Sequence, residues 1–287
     1  MKISTETASI AKLVGEQKGV ELIAKAGFDA FDFSICDAFP YHWGERKIIS
    51  TTSPLCSNNA LAYCRKLKQI AEDNGIVCNQ SHAPFPVCDK EVYSTIPFAL
   101  ECTAEAGGKI CIVHPDNDKT AEENAEMYFE LLPIAKSFGV KIATENMWNW
   151  DHSVDHARPA ACSDAKSFLD HLNAVNDEYL VACLDIGHAE MKGLDTNSVD
   201  MINALGDKLQ ALHIHDNDMW HDTHQIPYSM QIDFDKIAKA LKGINYSGYF
   251  TLEAISYLNA FTPDTAMQGL KDLLESAKKL VNVYKKA

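Results

Sequence analysis

At 287 residues the chain exceeds what a two-layer domain needs and suits one (β/α)8 barrel, and its 46% of hydrophobic residues can fill a large core. Its 40 acidic residues against 26 basic ones give a net charge of -14, so a polyanion such as DNA meets a repulsive field that no basic stripe overrides. No membrane span is expected, because no apolar stretch reaches about 18 residues, and no secretory leader is expected from MKISTETASIAKL, which has no apolar core.

The nine cysteines are odd in number and form no C-x-x-C, and Cys78, Cys111 and Cys183 lie in apolar runs. They read as small hydrophobes in a reducing cytoplasm, not as a disulfide framework.

Short apolar runs alternate with longer amphipathic ones from end to end. Strands are expected near 2–5, 29–34, 76–81, 109–113, 140–145, 179–185, 208–214 and 248–253. Helical segments lie between them. The first, 17–27, carries Val20, Leu22, Ile23 and Ala24 and stops at Gly27, a natural left-handed cap. The next, 58–74, carries Leu61, Leu67 and Ile70 and stops before Gly75. A helix over 119–138 opens on Thr120-Ala-Glu-Glu123, a capping-box pattern, and ends at Gly139. One over 163–173 starts at Ser163, one over 233–242 runs from Asp233 to Gly243, and the last, 264–284, follows Pro263. Eight strands and about eight helices in strict alternation imply a parallel sheet closed into a TIM barrel. No G-x-G-x-x-G follows the first strand, which argues against a doubly wound sheet. No linker divides the chain, so 1–287 is expected to form a single domain. The long irregular stretches 35–57, 146–162 and 216–232 each follow a strand and so fall on the face where barrels carry their sites.

Metal-ligand side chains fall where these strands end. Glu145 closes VKIATE, Asp185 closes LVACLD, His213 closes KLQALH and Glu253 closes GYFTLE. Four successive strands thus deliver a mixed carboxylate and imidazole shell to one centre, suited to Zn, Mn, Co or Fe. A second group adds to it. His82 and His114 end strands three and four, His188 follows Asp185 by three residues, and Asp222 and His224 alternate in the strand-seven loop as D-T-H. These five can hold further metals or touch substrate, so one to three divalent ions are expected.

The string S-H-A-P, V-H-P, T-E-N-M, L-D-x-G-H, H-x-H-D-N-D, D-x-H and T-L-E resembles the xylose isomerase-like TIM-barrel superfamily, from His82 to Glu253. That group includes sugar and sugar-phosphate isomerases and epimerases, and the AP endonucleases of the endonuclease IV type. The resemblance to the three-zinc endonuclease implies metal ligands at His82, His114, Glu145, Asp185, His188, His213, Asp222, His224 and Glu253. The resemblance to ketose 3-epimerases implies one metal on Glu145, Asp185, His213 and Glu253, with His188 near the substrate. Two departures stand out. The epimerases' substrate-contacting Arg after the strand-seven motif is missing from DNDMWHDTHQIPYS, and Pro227-Tyr-Ser-Met-Gln replaces P-G-x-G.

The resulting expectation is a metal-dependent sugar or sugar-phosphate isomerase/epimerase, possible as a homo-oligomer. It works through an enediolate, with Glu145 and Glu253 as acid/base pair and His188 at a substrate hydroxyl. Trp148 and His82 are expected to wall the substrate. Two alternatives remain open: a multinuclear phosphoesterase of the endonuclease IV type, against which Arg46, Lys47 and Arg158 are too few to grip DNA, and a related dehydratase or lyase.

Overall fold

The computed structural model describes residues 1–287. Eight parallel strands form one sheet: β1 (Lys2–Glu6), β2 (Ala30–Ser34), β3 (Val77–His82), β4 (Ile110–Ile112), β5 (Lys141–Glu145), β6 (Leu180–Asp185), β7 (Leu209–His213) and β8 (Tyr249–Leu252). Their order is β7-β6-β5-β4-β3-β2-β1-β8. The two ends meet through a parallel bridge between Ile214 and Leu252, with Ile214 N–H donating to Thr251 O at 2.9 Å and Glu253 N–H to Ile214 O at 3.0 Å. The sheet therefore closes, and the TIM barrel read from the alternation is what the chain forms.

The principal helices are α1 (Glu16–Ala26), α2 (Ala60–Asp73), α3 (Ile96–Glu105), α4 (Ala121–Phe138), α5 (Ala165–Val175), α6 (Ser198–Leu205), α7 (Phe234–Gly243) and α8 (Ala266–Lys286). The capping box on α4 is present: Glu123 N–H donates to Thr120 Oγ1 at 3.3 Å and Thr120 N–H to Glu123 Oε2 at 2.9 Å. Gly27 and Gly139 cap α1 and α4 at φ 108° and 66°, where a Cβ would be strained. Most bounds shift by one or two residues from the sequence reading, and two helix ends differ in their caps. Helix α5 is capped by Asp164, which accepts from Lys166 and Ser167 N–H, not by Ser163. Gly243 is the last residue of α7, and Ile244 takes the cap position.

Helices α3 and α6 have no readable bounds in the sequence. Helix α3 (IPFALECTAE) is apolar on most sides, so it lacks an amphipathic period, and α6 spans little more than two turns. The stretches read as irregular loops also contain structure. Tyr41–His42 pairs with Lys47–Ile48, and Trp148–Asp151 with His156–Pro159, as two antiparallel hairpins at the rim.

Along each strand, alternate residues face the helices or the barrel axis. The outward set (Phe31, Phe33, Ile142, Leu180, Leu184, Leu212, Phe250) joins the main core under the helices. The inward set divides in two. Strands β4 to β7 contribute a small apolar plug of Ile112, Ala143, Val181, Cys183 and Ala211. The opposite wall is polar. Ser4 Oγ donates to Asn79 Oδ1, Asn79 Nδ2 to Thr251 Oγ1, Thr251 Oγ1 to Gln80 Oε1, and Gln80 Nε2 to Asp32 Oδ2. This network leads directly to the mouth. Six of the nine cysteines are buried thiols, and no helix is long and apolar enough to cross a membrane.

Candidate metal centre

All nine side chains singled out in the sequence meet at the C-terminal mouth. His82, Glu145, Asp185 and His213 are the last residues of β3, β5, β6 and β7; Glu253 is one past β8 and His114 two past β4. His188 sits in a single helical turn (Ile186–Ala189) that Asp185 caps by accepting its N–H at 2.7 Å. Asp222 and His224 come in from the loop after β7.

Five overlapping groups have their ligand atoms within 4.8 Å of one another, and three of them together take in all nine residues: His82, His114 and Glu145; Glu145, Asp185, His213 and Glu253; and His188, His215, Asp222 and His224. Glu145 belongs to two of these three. Its Oε1 lies 2.7 Å from His213 Nδ1 and its Oε2 3.0 Å from His114 Nε2. His213 Nδ1 also lies 3.6 Å from Glu253 Oε2. Asp222 Oδ2 stands 3.1 Å from both His188 Nε2 and His224 Nε2.

The ring orientations fit metal binding. A metal-ligating histidine usually donates its other N–H to a carbonyl or carboxylate, which fixes the tautomer. Here His82 Nδ1 donates to Ala83 O, His188 Nδ1 to Asn146 O and His224 Nδ1 to Glu253 O, all at 2.8–2.9 Å, so each presents Nε2 to the shared space. His213 is turned the other way. Its Nε2 donates to Asp32 Oδ2 at 3.1 Å and its Nδ1 faces Glu145 and Glu253. Glu145 Oε2, Asp185 Oδ2, Asp222 Oδ1 and His215 Nε2 are buried without a hydrogen bond. Such atoms are costly unless something else satisfies them, and a divalent cation suits this donor set.

Protonation follows the same geometry. At Glu145 burial opposes ionisation, but His213, His114 and His82 outweigh it and hold the carboxyl well below its usual range. Burial raises Glu253, with His213 and His224 offsetting part of the rise and Glu145 and Asp185 adding to it. At His188 and His224 burial disfavours the imidazolium, yet Asp185 and Asp222 raise the first well above its usual value and Asp222 lifts the second to about 10. His114, where burial dominates, falls to about 4 and is neutral at any physiological pH.

Several residues beyond the nine singled out in the sequence also build the site. His215 completes the third group, 3.1 Å from Asp185 Oδ1. It alternates with His213 in H-I-H, a spacing that could have flagged it. Gly187 exists because of it: a Cβ there would come within 1.9 Å of the His215 ring. Asn146 braces β6, accepting from Asp185 N–H at 2.7 Å and donating to Asp185 O at 2.9 Å. Asp216 pins the β7 loop by accepting from Met230 and Ile232 N–H. Asp32, in the middle of β2 with no motif around it, is the carboxylate behind His213. Replacing it by Asn should weaken metal binding about 10–100-fold while the barrel stays folded; competition against a chromogenic chelator reads this, and an unchanged affinity would sever Asp32 from the centre.

Glu6, at the end of β1, is buried and opens onto the same cavity. Burial pushes its carboxyl up to about 7, against hydrogen bonds from Ser9 N–H and Oγ. Between the ordinary 4.5 and about 7 the folded chain holds a proton that the unfolded chain has lost, so this group costs stability as pH rises through that window. The cost is on the order of 3 kcal/mol at pH 8. Glu6→Gln is therefore expected to raise Tm relative to the parent at pH 8 and to leave it unchanged near pH 4.5, as thermal melts at the two pH values will show.

Trp148 lies in the rim hairpin after β5, edge-on to His188 with ring centroids 6.3 Å apart, and it lines the cavity together with His82.

A closed barrel with this ligand string defines the xylose isomerase-like TIM-barrel family. The chain belongs to that family, whose model matches residues 20–280. Among curated relatives, an uncharacterized protein of Methanocaldococcus jannaschii is 25% identical over 252 residues, 82% of this chain and 77% of the relative. The fructoselysine 3-epimerase of Escherichia coli O157:H7 is 29% identical over 136 residues, 47% of this chain and 46% of that protein. Among solved structures, a D-tagatose 3-epimerase-like protein superposes with a TM-score of 0.73 at 21% identity, covering 100% of this chain and 99% of its own. IOLI protein with a bound zinc atom gives 0.72 at 20%, with 100% and 99% covered. These structural likenesses establish the fold.

Proposed function

We propose that the chain is a divalent-metal-dependent sugar isomerase or epimerase. The observation that carries the reading is His213 Nδ1 lying between two carboxylates, 2.7 Å from Glu145 and 3.6 Å from Glu253, at the open end of the barrel. The similarity to fructoselysine 3-epimerase and to epimerase structures supports it. Glu145, Asp185, His213 and Glu253 would hold the principal metal; His82 and His114, and His188, His215, Asp222 and His224, offer two further positions.

The metal, when bound, supplies Lewis-acid stabilisation of negative charge developing on adjacent substrate oxygens. The chain does the rest. Glu145, held ionised by its histidines, accepts the carbon-bound proton, and Glu253, whose environment favours the protonated form, returns one from the other side. Return to the same carbon inverts it; return to the neighbouring carbon exchanges aldose and ketose. His188, braced by Asn146 O, is placed to bind or relay the proton of a substrate hydroxyl. Trp148 offers a flat apolar face to sugar C–H groups.

The test is incubation with a panel of ketoses in deuterated water, alongside elemental analysis. Deuterium at a carbon next to the carbonyl, with about one tightly held metal, supports the reading. The assembly of all three ligand groups favours one rival, a three-metal phosphoesterase of the endonuclease IV type. About three metals, no deuterium uptake and cleavage of an abasic duplex would replace the first reading with that one.

A further inference from the structure

The cavity above the metal ligands has a volume of about 630 Å³, within the range of sites that enclose small organic ligands. Its wall contains no lysine and no arginine. Besides the ligand residues it presents Glu6, Asp37, Asp116 and Asp118. The cations nearest these acids are already engaged, Lys12 with Asp37 at 3.8 Å and Lys119 with Asp116 at 3.7 Å. Arg46, Lys47 and Arg158 sit on the exposed rim hairpins, outside the lining.

Two short helices begin at the cavity, and amides of their first turns are already engaged. The helical turn that opens at Ala8, on the cavity floor, is filled by the chain itself. Glu6 takes Ser9 N–H at 2.9 Å as well as Ser9 Oγ, and Ser34 Oγ accepts from Ala8 N–H at 3.2 Å. In either protonation state of Glu6 that N–H is taken. The turn after β6 is likewise occupied by Asp185. Bound metal would neutralise its own ligands but leave Glu6, Asp37, Asp116 and Asp118 outside the ligand set.

The wall also carries six aromatic rings, Phe39, Tyr41, Trp43, Phe85, Trp148 and Trp150. Tyr41 and Trp43 meet edge to face at 5.2 Å, Trp148 and Trp150 at 6.1 Å, and Phe85 stacks on His114 at 4.8 Å. Trp43 is 65% exposed and Phe85 36%, so apolar ring surface stands uncovered at the mouth.

We infer that the substrate is an unphosphorylated, uncharged sugar carrying an apolar substituent that faces the aromatic rim of the mouth, and that a sugar phosphate is rejected. This rests on the isomerase/epimerase reading and narrows it to a substrate class. A terminal phosphate would bring about two negative charges against carboxylates with no lysine or arginine in the lining to receive them, whereas ring faces and an apolar aglycone would cover the exposed aromatics.

The experiment uses metal-loaded protein and three ligands: a free 2-ketohexose, its terminal phosphate ester, and the same ketose bearing an aryl group at that terminus. Calorimetry measures binding and deuterium uptake measures turnover. The aryl derivative should bind at least as tightly as the free sugar, and the phosphate ester about a hundredfold or more weaker. Glu6→Gln, which removes the acid and keeps its shape, should narrow that gap; a gap left unchanged overturns the role given to Glu6. A phosphate ester that binds as well as the free ketose overturns the assignment whichever reaction runs. Binding in the expected order without deuterium uptake sinks the isomerase reading and upholds the ligand class. Binding of none of the three overturns both.

Discussion

Glu145→Gln should abolish deuterium exchange, a loss of about a thousandfold or more, and strip metal from the protein. Glu145 joins the group of His82 and His114 to that of Asp185, His213 and Glu253, with His213, His114 and His82 at 2.7, 3.0 and 3.7 Å. Gln preserves its volume, so no cavity forms. The lost charge is an anionic ligand to two metal positions and the base of the proposed reaction. The fold should survive, because the imidazoliums facing Glu145 can shed their protons once the carboxylate is gone. Elemental analysis, exchange rate and Tm on the same preparation separate these effects. A variant that exchanges within about tenfold of the parent removes Glu145 from the chemistry.

Metal affinity should climb steeply with pH, and chelation should both silence the enzyme and lower its Tm. Without metal, the buried carboxylates are balanced by histidines that hold protons. His188 and His213 are raised well above their usual values and His224 reaches about 10. A metal binds only the neutral ring, so each such proton must leave, and affinity rises about tenfold per pH unit for every proton released. His114, lowered to about 4, contributes no dependence near neutrality. The group of His188, His215, Asp222 and His224, with two raised histidines, should therefore lose its metal first as pH falls, while the position at His82, His114 and Glu145, where His82 alone is raised, retains metal longer. At a free metal concentration of about a thousand times Kd the bound ion contributes about 4 kcal/mol, a Tm change of roughly 5–10 °C. Titrations in buffers of different ionisation enthalpy count the protons. A pH-independent affinity would mean that the histidines do not ligate.

Legibility varied by residue, for physical reasons. Glu145, Asp185, His213 and Glu253 were legible because a parallel barrel puts every strand's C-terminal end at one mouth, so position along the chain stands for position in space. His188, Asp222 and His224 followed from short local spacings. Asp32 was not legible: it acts through a contact with a residue 181 positions away, and only barrel closure creates that contact. Glu6 was hidden for a similar reason, as a lone acid in KISTE whose burial depends on what packs over it. His215 was within reach through its alternation with His213, but whether a second histidine faces the site depends on how the chain leaves β7.

By itself the sequence determined the eight strands, most of the helices and the nine ligand-type residues, because hydrophobic period, capping and strand-end chemistry are local or follow from the order of the units. Only the tertiary structure decided which ring nitrogen of each histidine faces the shared space, which acids stand behind the ligands and which line the cavity outside the ligand set. Those properties are set by through-space contacts between distant strands and by burial, and neither has a counterpart in the linear order of residues.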